Sequence, residues 1–236
     1  MAHATRWRIP LIMDTIVIGA SGGIGAAMAE HYRARGERVH GLSRSTGGID
    51  ITDPESIAAA AQALPFPAIQ RLVVATGLLH AETMAPERSL RDLDGEQLQR
   101  AFLVNAIGPA LVLRHFIPRL ARSGRVEVAL LSARVGSISD NRLGGWYGYR
   151  ASKAALNQFV RTGAIELARG RPEALLVALH PGTVDTAMSR PFQANVAADR
   201  LFTPAHAAAC LADVLAGLTP ADSGGFFDWK GETVPF

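Results

Sequence analysis

The chain has 236 residues, 48% hydrophobic and 19% charged, a balance that excludes a disordered tail and suits one α/β domain with a large core. Its formal charge of +3 comes from 24 basic and 21 acidic residues spread without blocks, so neither a nucleic acid nor a membrane is expected as a partner. One cysteine, Cys210, excludes an internal disulfide, reads as a small buried residue and fits a reducing, cytoplasmic setting, and the seven histidines stand at no metal-ligand spacing.

Residues 1–12 read as an N-terminal extension. Their apolar runs are short and broken by Pro10, with Asp14 close behind, so neither a signal peptide nor a membrane anchor is expected. From 13 to 236, short β-type runs alternate with longer helical patterns. Strands are predicted at 15–18, 38–42, 71–76, 126–132, 175–180 and 225–229, and helices at 23–35, 54–64, 96–121, 149–169 and 204–216. Continuous apolar runs such as RLVVAT at 71–76 fit strands buried on both faces. The alternation predicts crossover units, hence a single doubly wound Rossmann-type domain with a mostly parallel sheet and helices on both faces. The longest irregular stretches, 77–94 and 183–203, follow strands, where open α/β sheets bind ligands.

The first predicted strand runs into GASGGIG at 19–25. Gly19 permits a tight turn, Gly23 a close approach of backbone to phosphate, and Gly25 tight packing of helix on strand. Free N–H groups at the helix start would receive a diphosphate, with Ser21 and Ile24 in the same turn. The plainer alternative is a glycine turn that only packs well. The second strand ends Leu42-Ser43-Arg44-Ser45. No acid stands there to bind ribose hydroxyls, whereas Arg44 between two serines suits a 2′-phosphate. NADP(H) is therefore expected over NAD(H), a solvated arginine being the alternative.

Positive charge is carried by 22 arginines and two lysines, Lys153 and Lys230. Lys153 lies four residues after Tyr149 in a helical pattern, which puts both on one face. With three tyrosines in the chain, the chance expectation for this spacing is roughly 0.03. A phenol is a poor acid or base near neutrality, with an ordinary pKa of about 10. A nearby ammonium stabilises the phenolate, and its compact, rotatable donors suit ribose hydroxyls better than a planar guanidinium does.

With these residues in view, the chain resembles the short-chain dehydrogenases/reductases over nearly all of 13–236. The resemblance is carried by GASGGIG at 19–25, IDITD at 49–53, ATG at 75–77, FLVNAIGP at 102–109, SARVGSI at 132–138, YRASKAALN at 149–157 and HPGTVDT at 180–186. The region from Ser132 to Asn157, with the end SGGFFDWKGETVPF, is similar to the C-factor and sniffer-like carbonyl reductase branch. The resemblance implies that Tyr149 is the general acid/base and that Lys153 holds the nicotinamide ribose and lowers the tyrosine pKa. Asn105 would support a proton relay through water. Pro181, Gly182 and Thr186 would flank the nicotinamide, Asp50 and Ile51 would lie near the adenine, and Gly77 would keep a close approach after its strand. It also implies a small carbonyl or alcohol substrate and a homodimer or homotetramer. The alternative reading is a nucleotide-binding signalling or regulatory protein of the C-factor type with little turnover.

Three departures from the family pattern shape the expectations. The family's serine stands three residues before a glycine, and counting back from Gly136 gives Ala133. Ser132 is therefore expected to serve, with Ser137 or Ser139 as loop alternatives. Val74-Ala75-Thr76-Gly77 replaces Asn-Asn-Ala-Gly. Few residues separate Arg44 from Asp50, so a very short third strand is expected there. Leu143, Trp146, Met188 and Phe192 are expected to form an apolar pocket wall, and the C-terminal segment an edge strand.

Overall fold

The computed structural model describes residues 12–236, so the reading of 1–12 as an extension falls almost wholly outside the described residues. In chain order the elements are β1 (Asp14–Ile18), α1 (Gly23–Ala34), β2 (Arg38–Leu42), α2 (Pro54–Gln62), β3 (Arg71–Val74), α3 (Gly95–Phe102) and α4 (Gly108–Phe116). They continue with β4 (Val126–Leu131), α5 (Tyr147–Gly170), β5 (Ala174–His180), β6 (Thr183–Val184), β7 (Leu201–Phe202), α6 (Pro204–Gly217) and β8 (Phe226–Asp228). The main sheet runs β2-β1-β3-β4-β5-β8 with every pairing parallel.

Side chains alternate across a strand, and that period of two builds two cores. Ile16, Ile18, Leu72, Val74, Val128, Leu130 and Leu176 face α2, α4 and α5, meeting Ile57, Phe116 and Val160. Val17, Val73, Ala129, Val177 and Leu179 face the other way, meeting Met28 of α1 and Leu211 and Leu215 of α6. Both faces of the sheet are thus covered, as the continuous apolar runs require. The strand order reverses between β1 and β3, so the crevice beyond their C-terminal ends is where a ligand fits this topology.

Two elements differ from the sequence expectation. The segment 96–121 is not one regular helix: α3 and α4 are joined by a π turn, Leu103–Ile107, and the run ends in a 3₁₀ turn at Ile117–Arg119. This 25-residue run, Gly95–Arg119, is long and apolar enough to cross a bilayer, but its apolar face, with Val112, Leu113 and Phe116, is packed into the core against α2 and α5. The short strand expected near Asp50 is absent. Gly47 and Gly48 take positive φ of 75° and 63°, and Thr46 and Ser43 close a turn on each other, which curls the segment away from the sheet edge. The C-terminal segment does form an edge strand, β8, beside β5.

At the opposite end of the strands from the glycine turn lies a buried charged cluster. Arg71 Nε donates to Glu127 Oε2 at 2.7 Å, its Nη1 to Glu37, and its guanidinium lies 4.1 Å from the Tyr32 ring centroid. Arg125 Nε completes Glu127 at 2.5 Å and its Nη2 reaches Leu215 O at 2.7 Å. Glu127 is almost fully buried between two arginines, so removing it takes a buried carboxylate partner from both. Glu127→Ala is expected to cost about 3–5 kcal/mol in urea unfolding. Glu30→Ala, which breaks the exposed 3.9 Å pair with Arg33, should cost under about 0.5 kcal/mol.

Candidate active site

The dinucleotide end is built by an absence of side chains. Gly19 has φ 86°, and a Cβ there would lie 2.9 Å from Ala75 C at the end of β3. A Cβ on Gly25 would lie 2.3 Å from Gly19 O, and one on Gly23 2.7 Å from Thr186 Cγ2. The α1 N-cap is Gly22, which brings no side-chain acceptor to the first-turn N–H groups, leaving them suited to an anion. A cleft of about 630 Å³ opens here, lined by Ser21, Ile24, Arg44, Asp50, Ile51 and Gly77 among others. Arg44 stands exposed at its rim. Asp50 accepts the Thr52 hydroxyl and N–H at 2.7 and 2.8 Å, which holds its carboxyl below the ordinary range. The residues present fit a nicotinamide dinucleotide.

A second cavity of about 390 Å³ adjoins the first, sharing Ile24, Gly77, Thr186 and Met188, and holds Tyr149, Lys153, Pro181 and Gly182. Asn105, fully buried in the π turn, accepts from Leu78 N at 2.7 Å and donates to Leu78 O at 2.8 Å and Ser152 Oγ at 3.0 Å. It thereby ties the loop after β3 to helix α5. Lys153 Nζ donates to Leu131 O at 2.8 Å and lies 5.9 Å from the Tyr149 ring centroid. Burial pushes the phenol up to about 12 and the ammonium down to about 8. The expected lowering of the tyrosine is thus reversed in the protein alone, because desolvation outweighs an ammonium at that distance.

Strand geometry decides the serine. Ser132 lines the cavity, but the residue is only 4% exposed and its hydroxyl donates to Asn157 Oδ1 at 2.7 Å, while Ala133 also lines the cavity with a methyl group. Ser137 is buried and accepts from Asp140 N; Ser139 donates to Phe236 O at 2.6 Å; neither lines the cavity. Trp146, Met188 and Phe192 do form an apolar wall, with the Trp146 and Phe192 rings edge-to-face at 5.1 Å. Leu143 does not; it is 92% exposed, carried outward by the turn at Gly144 and Gly145. Cys210, expected to be buried, is half-exposed, 3.5 Å from His206 Nε2.

Several site residues were not singled out from the sequence. Ser152 and Asn157 were within reach, since Asn157 follows Lys153 by one helical turn. Thr76 and His180 line the cavity with buried polar atoms that have no protein partner, Oγ1 and Nδ1. Burial pushes His180 down to about 4, leaving a neutral ring near pH 7. Another concavity, about 720 Å³ on the outer faces of α4 and α5 with Arg114, Arg122 and Glu166, contains none of the motif residues.

A parallel sheet with a glycine cradle at its switch point, joined to a cavity holding a tyrosine–lysine pair, defines a nicotinamide-nucleotide oxidoreductase. A family model described as enoyl-(acyl carrier protein) reductase matches residues 40–215. The chain is 30% identical to the 1-hydroxy-2-glutathionyl-2-methyl-3-butene dehydrogenase of a Rhodococcus species, over 91% of this chain and 96% of the relative. It is 39% identical to the C-signal of Myxococcus xanthus, over 63% and 84% respectively. Its fold superposes on a Burkholderia multivorans short-chain dehydrogenase/reductase with bound NADP at TM-score 0.76, with 26% identity over 95% of this chain and 99% of the other. The chain belongs to the short-chain dehydrogenase/reductase family. It is an oxidoreductase that acts on carbonyl or alcohol substrates.

Two outcomes test the site's physics. Gly25→Ala, whose methyl meets backbone rather than a movable side chain, should abolish NADPH fluorescence enhancement and lower the melting temperature. Lys153 is harder to protonate folded than unfolded, so its penalty is fully present below pH 8 and is relieved as pH rises from about 8 toward its ordinary value. Lys153→Met should therefore raise apo stability at pH 7 and flatten that rise, read by urea melts across pH 7–10.

Proposed function

We propose that the chain is an NADP(H)-dependent reductase of apolar carbonyl compounds, or dehydrogenase of the matching alcohols, with Tyr149 as general acid/base. The observation that carries this reading is the meeting of Tyr149 and Lys153 at one end of a cleft whose other end is the glycine cradle with Arg44, with Asn105 buried behind Gly77. The relative matched along 91% of the chain is a dehydrogenase, which disfavours the signalling alternative. The bound NADP of the Burkholderia structure supports the choice of cofactor.

When bound, the nicotinamide supplies or accepts the hydride. The protein's part is orientation and proton control. Gly19, Gly23 and Gly25 with the α1 N-terminus would hold the diphosphate, Ser21 and Ile24 lining that turn. Arg44 would take the 2′-phosphate, with Asp50 and Ile51 beside the adenine. Gly77, Pro181, Gly182 and Thr186 would border the nicotinamide side. Burial holds the phenol protonated in the protein alone, and giving that proton to a carbonyl oxygen would need the phenolate stabilised by a nearby cation. Lys153, charged below about 8, would bind ribose hydroxyls and favour the phenolate when the proton leaves. Asn105 would keep Lys153's surroundings aligned through Leu78. Ser132 would contribute a hydroxyl only after turning from Asn157.

Tyr149→Phe should lower kcat for aldehyde reduction by about 10²-fold or more while NADPH affinity changes little; unchanged turnover would refute the acid/base role. Arg44→Ala should weaken NADPH binding by about 10-fold or more with little effect on NADH, read by fluorescence titration. Equal losses for both would remove the 2′-phosphate assignment.

A further inference from the structure

Helix α5 carries Tyr149 and Lys153, and it begins from a disfavoured turn. Gly144, Gly145 and Trp146 enter it with positive φ of 65°, 64° and 53°. Two glycines accept this freely; Trp146 is the one non-glycine residue in that region among those described. As N-cap, Trp146 also offers no side-chain acceptor to the first turn of the helix. Strain of this kind persists where its surroundings over-determine it.

The two glycines are held by Arg150, whose Nε donates to Gly145 O at 2.9 Å, and by Asn141 Oδ1, which accepts the Gly144 N–H at 3.1 Å; Trp146 and Gly148 are held by one residue on the loop after β3. Glu87 O accepts the Trp146 N–H at 2.6 Å. The Glu87 carboxylate accepts the Gly148 N–H at 3.1 and 3.3 Å. The residue is 4% exposed, so its carboxylate is committed to this helix start, where the N-terminal dipole favours it. Gly148 leaves it room, since a Cβ there would lie 2.8 Å from Glu87 Oε1. Just beyond the clamp, the Trp146 ring walls the cavity against Phe192, and Tyr149 enters it.

We propose that Glu87 is a positioning residue for the reaction: by holding the left-handed turn at Trp146 and the N–H of Gly148, it sets where the Trp146 indole and the Tyr149 phenol stand in the substrate cavity. The kinetic part of this inference rests on the reading of Tyr149 as acid/base. The clamp itself does not.

The test compares the full-length chain with Glu87→Ala, Glu87→Gln and Gly148→Ala, the last pushing the clamp open from the helix side. Amide exchange, NADPH affinity, melting temperature and steady-state reduction of a panel of aromatic aldehydes are measured for each. In Glu87→Ala, exchange across 144–150 should speed up about tenfold or more, kcat should fall about tenfold or more, and NADPH affinity should stay within about threefold. Glu87→Gln, which keeps an acceptor, should recover part of both losses. If Glu87→Ala does not fold, Gly148→Ala makes the same comparison, because alanine is the better helix former. A lower melting temperature with unchanged kcat would reduce Glu87 to a structural role and overturn the proposal, as would unchanged exchange across 144–150. If the unmodified chain reduces none of the aldehydes, the proposed reduction of apolar carbonyls fails, while exchange still decides the clamp.

Discussion

Much of the molecule follows from one steric constraint, the contact between the turn after β1 and the start of α1. A Cβ on Gly25 would lie 2.3 Å from Gly19 O, and a Cβ on Gly19 would press on Ala75. With no side chains between them, helix, turn and the end of β3 close onto one another at the point where the strand order reverses. That closure brings the first-turn N–H groups of α1 beside the ends of β1 and β3, and it leaves the cleft as the space above. The buried cluster of Arg71, Glu127 and Glu37 holds the same strands at their other end. Binding geometry and strand anchoring are thereby separated to opposite edges of one sheet.

The end of the cleft with Tyr149 and Lys153 depends on a different device. Asn105 lies on neither a strand nor a regular helix but in a π turn, where the widened backbone lets one buried amide satisfy both polar groups of Leu78 and still reach Ser152. Such turns concentrate at functional sites. Through it the loop after β3 and helix α5 share a fixed distance, and Lys153, bound to Leu131 O, adds β4 to the same frame. The active groups are therefore held by three elements far apart in sequence.

The fold was largely legible because its signals are local. Apolar runs marked the strands within one or two residues, and glycine spacing marked the turn. Tyr149 and Lys153 were legible for the same reason, since helical spacing puts them on one face. What could not be read is what depends on distance. The π turn leaves no mark on hydrophobic periodicity, so 96–121 looked like one helix. The partner of Ser132 is on α5, and nothing around Ser132 announces Asn157. Spacing shows that a lysine is near Tyr149 but not the desolvation that raises the phenol in the protein alone. Leu143 looked like pocket wall by composition, yet two left-handed glycines turn it outward.

The π turn has a consequence for how this chain tolerates changes in length. It holds one more residue than an α-helical turn, and an α-helix advances about 100° per residue. Deleting one residue between Leu103 and Ile107 would let that turn close as a regular α-helical one, with α3 and α4 keeping nearly the same relative faces. The apolar stripes of the two segments would still meet the same core, but the widened backbone that seats Asn105 against Leu78 would be lost. The composition and hydropathy of such a chain would be almost unaltered, and each segment would remain a good helix. In this region the count of residues, more than their identity, specifies the active structure.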